Sequence, residues 1–207
     1  MVTSNASLKP EEVTAIVLCG GGGRRLGGPG GLAKPLVRIG ERALVEFVIE
    51  RLRPQASRVV LSLGVGQDAK AWREFGCDLL VDAEPDQGPL GGLVSCFADI
   101  SGEWIISCPG DAPWTAPNLV QALSGDALAR GVAVAHDGER RQNLTLLIGR
   151  DRAESLAHFY ADGGRAVHRW LDANAIPSTD LSAMAESFVN INTPADLENF
   201  RRSAGIG

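Results

Sequence analysis

The sequence predicts an α/β domain of three layers, in which helices cover both faces of a mostly parallel sheet. Short apolar runs alternate along the chain with stretches of helical period, which is the pattern of repeated βαβ units. The first run, residues 15–19, is apolar on both faces, as a central strand of a parallel sheet is. Glycine, proline and aspartate follow several of these runs, so we expect a ligand site at the carboxyl edge of the sheet.

The first half of the chain alternates between strands and helices. Gly40 and Glu41 form a turn, and Pro54 ends the helix that follows because its ring cannot continue one. The expected elements, in order, are a strand at 15–19, an extended segment at 35–39, a helix at 43–53, and strands at 58–63 and 77–82 around a short helix at 67–75.

The second half adds strands of mixed direction. Pro89 stands at the favoured first position of a helix, and Thr193 caps the last helix, with Pro194 at its first position and Asp196 near the positive end of its dipole. The expected elements are a helix at 89–98, a strand at 103–108, a helix at 115–123, antiparallel or mixed strands at 131–135 and 144–148, helices at 150–160 and 165–171, a strand at 187–192 and the final helix.

Length and composition predict an ordinary globular protein. The 207 residues allow one domain, which we assign to residues 13–207, after a disordered or loosely ordered segment at 1–12. No apolar run approaches the roughly 20 residues of a membrane span, and the start lacks a signal-peptide pattern, so we expect a cytoplasmic protein without membrane contact. The net charge of −5 disfavours nucleic-acid binding. The four cysteines fit no zinc spacing and are expected to be reduced core residues.

The glycine-rich loop after the first strand is a candidate phosphate site. Four consecutive glycines at 20–23 would let backbone N–H groups approach a polyanion closely. Arg24, Arg25 and Lys34 supply positive charge. Because Pro35 follows Lys34, the loop is neither a P-loop nor a dinucleotide fingerprint that opens a helix. The alternative is a mobile surface loop whose cations are solvated.

Carboxylates follow two other predicted strands. Asp111 comes after the strand at 103–108 and suits a magnesium ligand that faces phosphate oxygens. It could instead cap the next helix, although Thr115 is better placed for that. Asp82 is either a turn residue or an acceptor for a base or a ribose, and the sequence leaves both open.

Two asparagines near the end of the chain add to the candidates. Asn190 and Asn192 alternate with apolar residues, so we expect both on one face of a strand, at the site or at a sheet edge. The chain has no Gly-x-Ser-x-Gly elbow and no convincing nucleophile with its base. Phosphoryl and nucleotidyl transfer need little covalent chemistry from the protein, since positioning and charge stabilisation supply most of the catalysis. The residues therefore fit an enzyme of either kind.

Four motifs in a fixed order carry a family resemblance. The glycine loop reads Leu18-Cys-Gly-Gly-Gly-Gly-Arg-Arg-Leu-Gly-Gly28, with Lys34-Pro-Leu behind it. The other three are Gly88-Pro-Leu-Gly-Gly92, Cys108-Pro-Gly-Asp-Ala-Pro113 and Phe188-Val-Asn-Ile-Asn-Thr-Pro194. Together they resemble the molybdenum cofactor guanylyltransferases, the molybdopterin-guanine dinucleotide biosynthesis protein A family of nucleotidyltransferases. The chain departs from that pattern in a longer stretch between Arg25 and Lys34, and in Ala33, where an aspartate is common.

The resemblance implies a fold and an activity. The fold would be a Rossmann-like sheet of the nucleotide-diphospho-sugar transferase type, and the activity transfer of GMP from GTP, with Mg²⁺, to molybdopterin with release of pyrophosphate. Contacts with proteins that insert molybdenum or mature molybdoenzymes are implied as well. Two alternatives stay open: a related nucleotidyltransferase that uses CTP or a sugar 1-phosphate, and a non-catalytic module that binds nucleotide or delivers the cofactor.

The resemblance also implies roles for individual residues. Catalytic roles fall on Arg25 and Lys34, which would balance the charge of the triphosphate, and on Asp111, which would bind magnesium. Ser62 stands where the family has an asparagine, so its contact would be shorter or water-mediated. Contacts with the nucleotide are implied for Leu18, Cys19, Gly20, Gly21, Lys34, Ser62, Asp82 and Asp111.

Overall fold

The computed structural model describes residues 7–20, 32–82, 85, 88–100 and 102–206. Residues 1–6 of the segment predicted to be loosely ordered lie outside this part of the chain. Beyond them, the N–H of buried Leu8 donates to Ser124 Oγ at 3.1 Å, and Pro10–Glu12 forms a 3₁₀ turn. The domain boundary at residue 13 stays a prediction.

One seven-stranded sheet forms the centre of the described chain, with its strands in the order β5-β4-β1-β6-β8-β7-β9. β8 runs antiparallel to both of its neighbours, and the other pairs in this sheet are parallel. A short ribbon of β2 and β3 stands apart. The strands are β1 Val13–Leu18, β2 Arg38–Ile39, β3 Arg42–Ala43, β4 Arg58–Leu63, β5 Asp78–Val81, β6 Trp104–Pro109, β7 Val132–His136, β8 Arg141–Gly149 and β9 Ser178–Asp180.

Helices cover both faces of this sheet. Those seen in the described residues are α1 Leu44–Leu52, α2 Gly88–Phe97, α3 Leu119–Arg130, α4 Arg150–Ala161, α5 Val167–Ala173 and α6 Pro194–Ser203. None of the described helices is long and apolar enough to cross a bilayer.

Strand β1 shows how the layers are held together. Val13, Ala15 and Val17 belong to the buried cluster on the face of α1 and α3, whereas Ile16 and Leu18 belong to the cluster on the face of α2, α4 and α5. Every residue of this strand is buried, because both faces of a central parallel strand are covered. The expected three-layer, mostly parallel fold is therefore confirmed.

The strand expected near the end of the chain was wrong. The segment predicted as a strand at 187–192 is irregular, after a 3₁₀ turn at Ser182–Phe188, and β9 lies earlier, at Ser178–Asp180. Ile191 N–H donates to the carbonyl of Asp111 at 2.9 Å, so the segment is tied to the end of β6 without forming a ladder. Of its alternating apolar residues, Ile191 is buried and Val189 is exposed, so the alternation does not mark a paired strand here.

Two helices also differ from their predicted form. The stretch at 67–75 is a 3₁₀ helix, Ala69–Phe75. The helix expected from residue 115 begins at Leu119, and Thr115 Oγ1 donates to the carbonyl of Ala112 at 2.8 Å. Neither Thr115 nor Asp111 caps this helix, since its N-cap residue is Asn118.

Candidate active site

The ends of β1 and β6 form the base of the candidate site. These strands pair in parallel with Leu18 opposite Pro109, and Gly110 N–H donates to the carbonyl of Leu18 at 2.9 Å. A Cβ on Gly110 would lie 3.0 Å from Cys19 Sγ, so a larger residue would have to push the two loops slightly apart. The next residue, Asp111, is thereby placed beside the loop that follows β1.

Lys34 forms an ion pair with Asp111 at this edge. Its Nζ donates to Asp111 Oδ2 and, at 2.7 Å, to Asn192 Oδ1. The two charged side chains are 15% and 18% exposed. The 3₁₀ turn Lys34–Leu36, in which Pro35 and Leu36 are buried, fixes the lysine on the core. The structure therefore brings together the lysine and the aspartate that the sequence singled out.

Asn192 is held in place by the start of α6. Asp196 Oδ2 accepts hydrogen bonds from the backbone N–H groups of Asn192 and Thr193, both at 2.8 Å, and Thr193 Oγ1 accepts from Asp196 N–H at 3.2 Å. The bond from the Asn192 N–H is the main reason why the pKa of Asp196 lies below its usual value. The predicted cap at Thr193 is confirmed, and it orients the asparagine that contacts Lys34.

A cavity of about 280 Å³ opens beside this ion pair. It is lined by six of the candidate site residues named from the sequence, and it extends toward the beginning of β8 and the start of α2. The described residues that line it are Leu18, Cys19, Gly20, Lys34, Pro35, Pro89, Pro109, Asp111, Leu144 and Asn190.

Asp82 and Ser62 lie on the other side of Gly20. A Cβ on Gly20 would lie 3.5 Å from Asp82 Oδ2, and one on Gly92 would lie 2.8 Å from Ser62 Oγ and 3.1 Å from Asp82 Oδ1. Burial raises the pKa of Asp82, and a hydrogen bond with Ser62 partly offsets this. Asp82 Oδ1 is buried and has no hydrogen-bond partner within the described residues. It is therefore an acceptor that a bound molecule could use.

The remaining predicted site residues are placed as follows. Gly21, Arg24 and Arg25 lie outside the described residues. Burial, and then the nearby charge of Asp111, raises the pKa of Cys19 well above its usual value, so its side chain is a neutral thiol. All four cysteines are free, and three are buried, as expected of core residues.

The site could hold a metal only together with a substrate. Within the described residues, no group of three or more histidine, cysteine or acidic side chains could hold an ion by itself. Mg²⁺ is commonly bound by one or two carboxylates together with substrate phosphates. Asp111 already faces a cation, the ammonium group of Lys34. This donor set fits an ion that arrives with its own phosphate ligands.

The sequence reasoning missed Gln67. Its side-chain amide links the loops that follow β1 and β4: it accepts from Gly64 N–H at 2.9 Å and donates to the carbonyl of Cys19 at 3.2 Å. A glutamine three residues after a glycine at a strand end was the available signal, but it depends on how the turn folds.

Comparisons with known proteins agree with this geometry. Residues 15–176 match the family model described as the MobA-like NTP transferase domain. The chain is 32% identical over 200 residues to a molybdenum cofactor guanylyltransferase of Serratia proteamaculans, covering 95% of this chain and 98% of that protein. It is 30% identical over 191 residues to one of Photobacterium profundum, covering 92% and 96%.

Solved structures support the fold. Molybdopterin-guanine dinucleotide biosynthesis protein A from Archaeoglobus fulgidus superposes with a TM-score of 0.68 at 20% identity, covering 93% of this chain and 98% of that one. A 2-C-methyl-D-erythritol 4-phosphate cytidylyltransferase from Thermus thermophilus gives 0.68 at 17% identity, covering 92% and 98%. The resemblance inferred from the motifs is confirmed: the chain belongs to the MobA-like NTP transferase domain family.

Proposed function

We propose that this chain transfers GMP from GTP to molybdopterin, forming the guanine dinucleotide cofactor and releasing pyrophosphate. The observation that carries the proposal is the meeting of Lys34 and Asp111 beside the backbone of residues 18–20. A lysine and a carboxylate at the mouth of a glycine-lined loop can hold a metal-bound triphosphate from two sides. The names of the relatives agree with this reaction.

The nucleotide would lie along the loop after β1. In this arrangement the backbone of Leu18, Cys19 and Gly20 would face the guanosine, and Asp82, with Ser62 beside it, would accept from the nucleoside. A nucleotide contact of Gly21 stays part of the proposal. Asp82 Oδ1, which is buried and has no hydrogen-bond partner among the described residues, supports that role, since a bound donor would satisfy it.

Charge stabilisation would come from Arg25, Lys34 and Asp111. Arg25 and Lys34 would neutralise the triphosphate, and Asp111 would hold Mg²⁺. The metal, when bound, supplies positive charge to the phosphate oxygens. Asn192 helps to hold the ammonium group of Lys34 beside Asp111, because its Oδ1 accepts from the same Nζ at 2.7 Å.

The reaction requires little proton transfer by the protein. An oxygen of the terminal phosphate of molybdopterin forms a bond to the α-phosphorus of GTP, and the bond from that phosphorus to the β-phosphate oxygen breaks. The attacking group is already an anion, so no general base is required. This agrees with the neutral thiol of Cys19 at the site.

Cellular context belongs to the same proposal. We expect the protein to act in the cytoplasm and to receive molybdopterin from, or pass its product to, proteins that insert molybdenum or mature molybdoenzymes.

The test is a reaction of the purified chain with molybdopterin, magnesium and one labelled nucleotide at a time: GTP, ATP, CTP or UTP. We expect pyrophosphate release and a labelled dinucleotide with GTP. The cytosine dinucleotide with CTP instead would favour the cytidylyl alternative. In a parallel reaction with a sugar 1-phosphate as acceptor, transfer to that sugar phosphate but none to molybdopterin would contradict the proposed acceptor. Nucleotide binding without pyrophosphate release in any mixture would indicate a non-catalytic module.

A further inference from the structure

The turn after β4 is closed by the side chain of Gln67. Its Oε1 accepts the N–H of Gly64 at 2.9 Å, and its own N–H donates to the carbonyl of Gly64 at 3.2 Å. These two bonds leave the side-chain Nε2 directed away from the turn. It donates to the carbonyl of Cys19 at 3.2 Å, so both ends of the amide are engaged with backbone.

This amide joins the loops that leave two neighbouring strands. The β1–β4 register ends with Leu18 opposite Ser62, and Cys19 N–H then donates to the carbonyl of Ser62 at 2.8 Å. Past that bond, the bridge through Gln67 links Cys19 to the β4 loop. The loops are close at this level, since a Cβ on Gly20 would lie 3.1 Å from the nitrogen of Gly64.

We propose that Gln67 is a positioning residue for the nucleobase. The inference rests on the proposed function, in which the base is read by the backbone of residues 18–20. By donating to the carbonyl of Cys19, the amide fixes the direction in which that oxygen offers its second lone pair. By accepting from Gly64, it fixes the separation of the two loops.

Guanine and adenine differ in the groups that such a backbone site can recognise. Guanine presents an N1–H and a 2-amino group as neighbouring donors, whereas adenine presents an acceptor at N1. A carbonyl held in one orientation favours the base that donates to it and leaves the other base with an unsatisfied contact. Loosening the carbonyl should therefore reduce base preference more than it reduces catalysis.

The informative variant is Gln67→Glu. It keeps the length of the side chain and the acceptor for Gly64, but it places an oxygen against the carbonyl of Cys19. Gln67→Met removes both bonds without adding charge, and so separates the lost bond from repulsion of the triphosphate. Asp68→Asn is the matched control, because the Asp68 side chain accepts from Lys70 N–H in the same turn, at 2.9 Å, and an asparagine side chain can do the same.

The measurements are dissociation constants for GTP, ITP and ATP by calorimetry, together with kcat and KM for GMP transfer. We expect both Gln67 variants to bind GTP about tenfold more weakly, as the loss of one well-placed hydrogen bond predicts. Their preference for GTP over ATP should narrow by a similar factor, with kcat within about twofold of the wild type. Asp68→Asn should match the wild type in every measurement.

Two results would overturn the inference. One is an unchanged GTP affinity and base preference in both variants. The other is an equal loss for all three nucleotides accompanied by a lower unfolding temperature, which would indicate a purely structural bond. If Gln67→Glu does not fold, Gln67→Met decides between these outcomes. Absence of GMP transfer by the wild type would contradict the proposed function, while the dissociation constants would still test Gln67.

Discussion

Replacing Asp111 with asparagine tests the proposed charge stabilisation most directly. The substitution removes one negative charge and nearly preserves the shape of a side chain that is 18% exposed. Loss of one preorganised electrostatic group costs about 3–4 kcal/mol of transition-state stabilisation. Since each 1.36 kcal/mol is a factor of ten in rate, kcat should fall about 10²–10³-fold. Folding should survive, because the Asp111 carbonyl still accepts from Ile191 N–H.

The assay is the initial rate of pyrophosphate release at saturating GTP and molybdopterin, with magnesium titrated. Asp78→Asn is the matched control, because it makes the same substitution in a more exposed ion pair, which joins Asp78 on β5 to Arg58 on β4. Its kcat should equal that of the wild type, and its stability should change by no more than about 0.5 kcal/mol. A folded Asp111→Asn variant that keeps kcat within about threefold of the wild type would refute the assigned role.

Three further predictions concern the surroundings of Asp82 and the buried core. Gly92→Ala should destabilise the protein by about 1–3 kcal/mol in thermal unfolding, because its Cβ would lie 2.8 Å from the nearest side-chain oxygen. A Cβ on Gly125 in α3 would meet no atom within 4 Å, so Gly125→Ala should leave stability unchanged or raise it by up to about 1 kcal/mol. Equal changes in stability for Gly92→Ala and Gly125→Ala would contradict the argument that the added Cβ of residue 92 is crowded. Asp82→Asn should change how urea stability depends on pH. As pH rises above the ordinary pKa of 3.8, the carboxyl of the unfolded chain ionises before that of the native protein. The wild type should therefore lose stability relative to the variant until the pH passes the raised native pKa. Stability profiles of the two proteins that run parallel with pH would exclude the raised pKa. Burial raises the pKa of Cys108 to about 12 and also shields its thiol from reagents. At pH 8 an alkylating reagent should therefore modify half-buried Cys77 before Cys108. Faster labelling of Cys108 than of Cys77 in the native protein would contradict the burial of Cys108.

The sequence predicted the parts of the fold that depend on local pattern. Apolar runs located the central strands because both faces of each are buried, and the chain order placed Asp111 near Lys34 because parallel strands end at the same edge. The segment at 187–192 was wrongly predicted as a strand because its apolar residues alternate as those of a strand do. Its backbone N–H groups at Val189 and Ile191 bond to the carbonyls of Glu186 and Asp111, outside any ladder.

The site was predictable where it depends on strand ends and unpredictable where it depends on turn geometry. The bridge made by Gln67 requires a turn in which Gly66 has φ of 84°, and sequence spacing does not reveal whether a side chain then reaches a neighbouring loop. The contact of Asn192 with Lys34 likewise depends on an irregular path anchored by the cap of α6.

The single reversed strand of the sheet has a consequence for the choice of acceptor. Because β8 opposes its neighbours, it starts where they finish, and the hairpin at 137–140 stands at the same rim as the cavity, which Leu144 also borders. In the proposed arrangement GTP occupies the β1 half, so this hairpin flanks the half left to the acceptor. We expect a change in the length of this hairpin to alter the choice of acceptor more than the binding of the nucleotide.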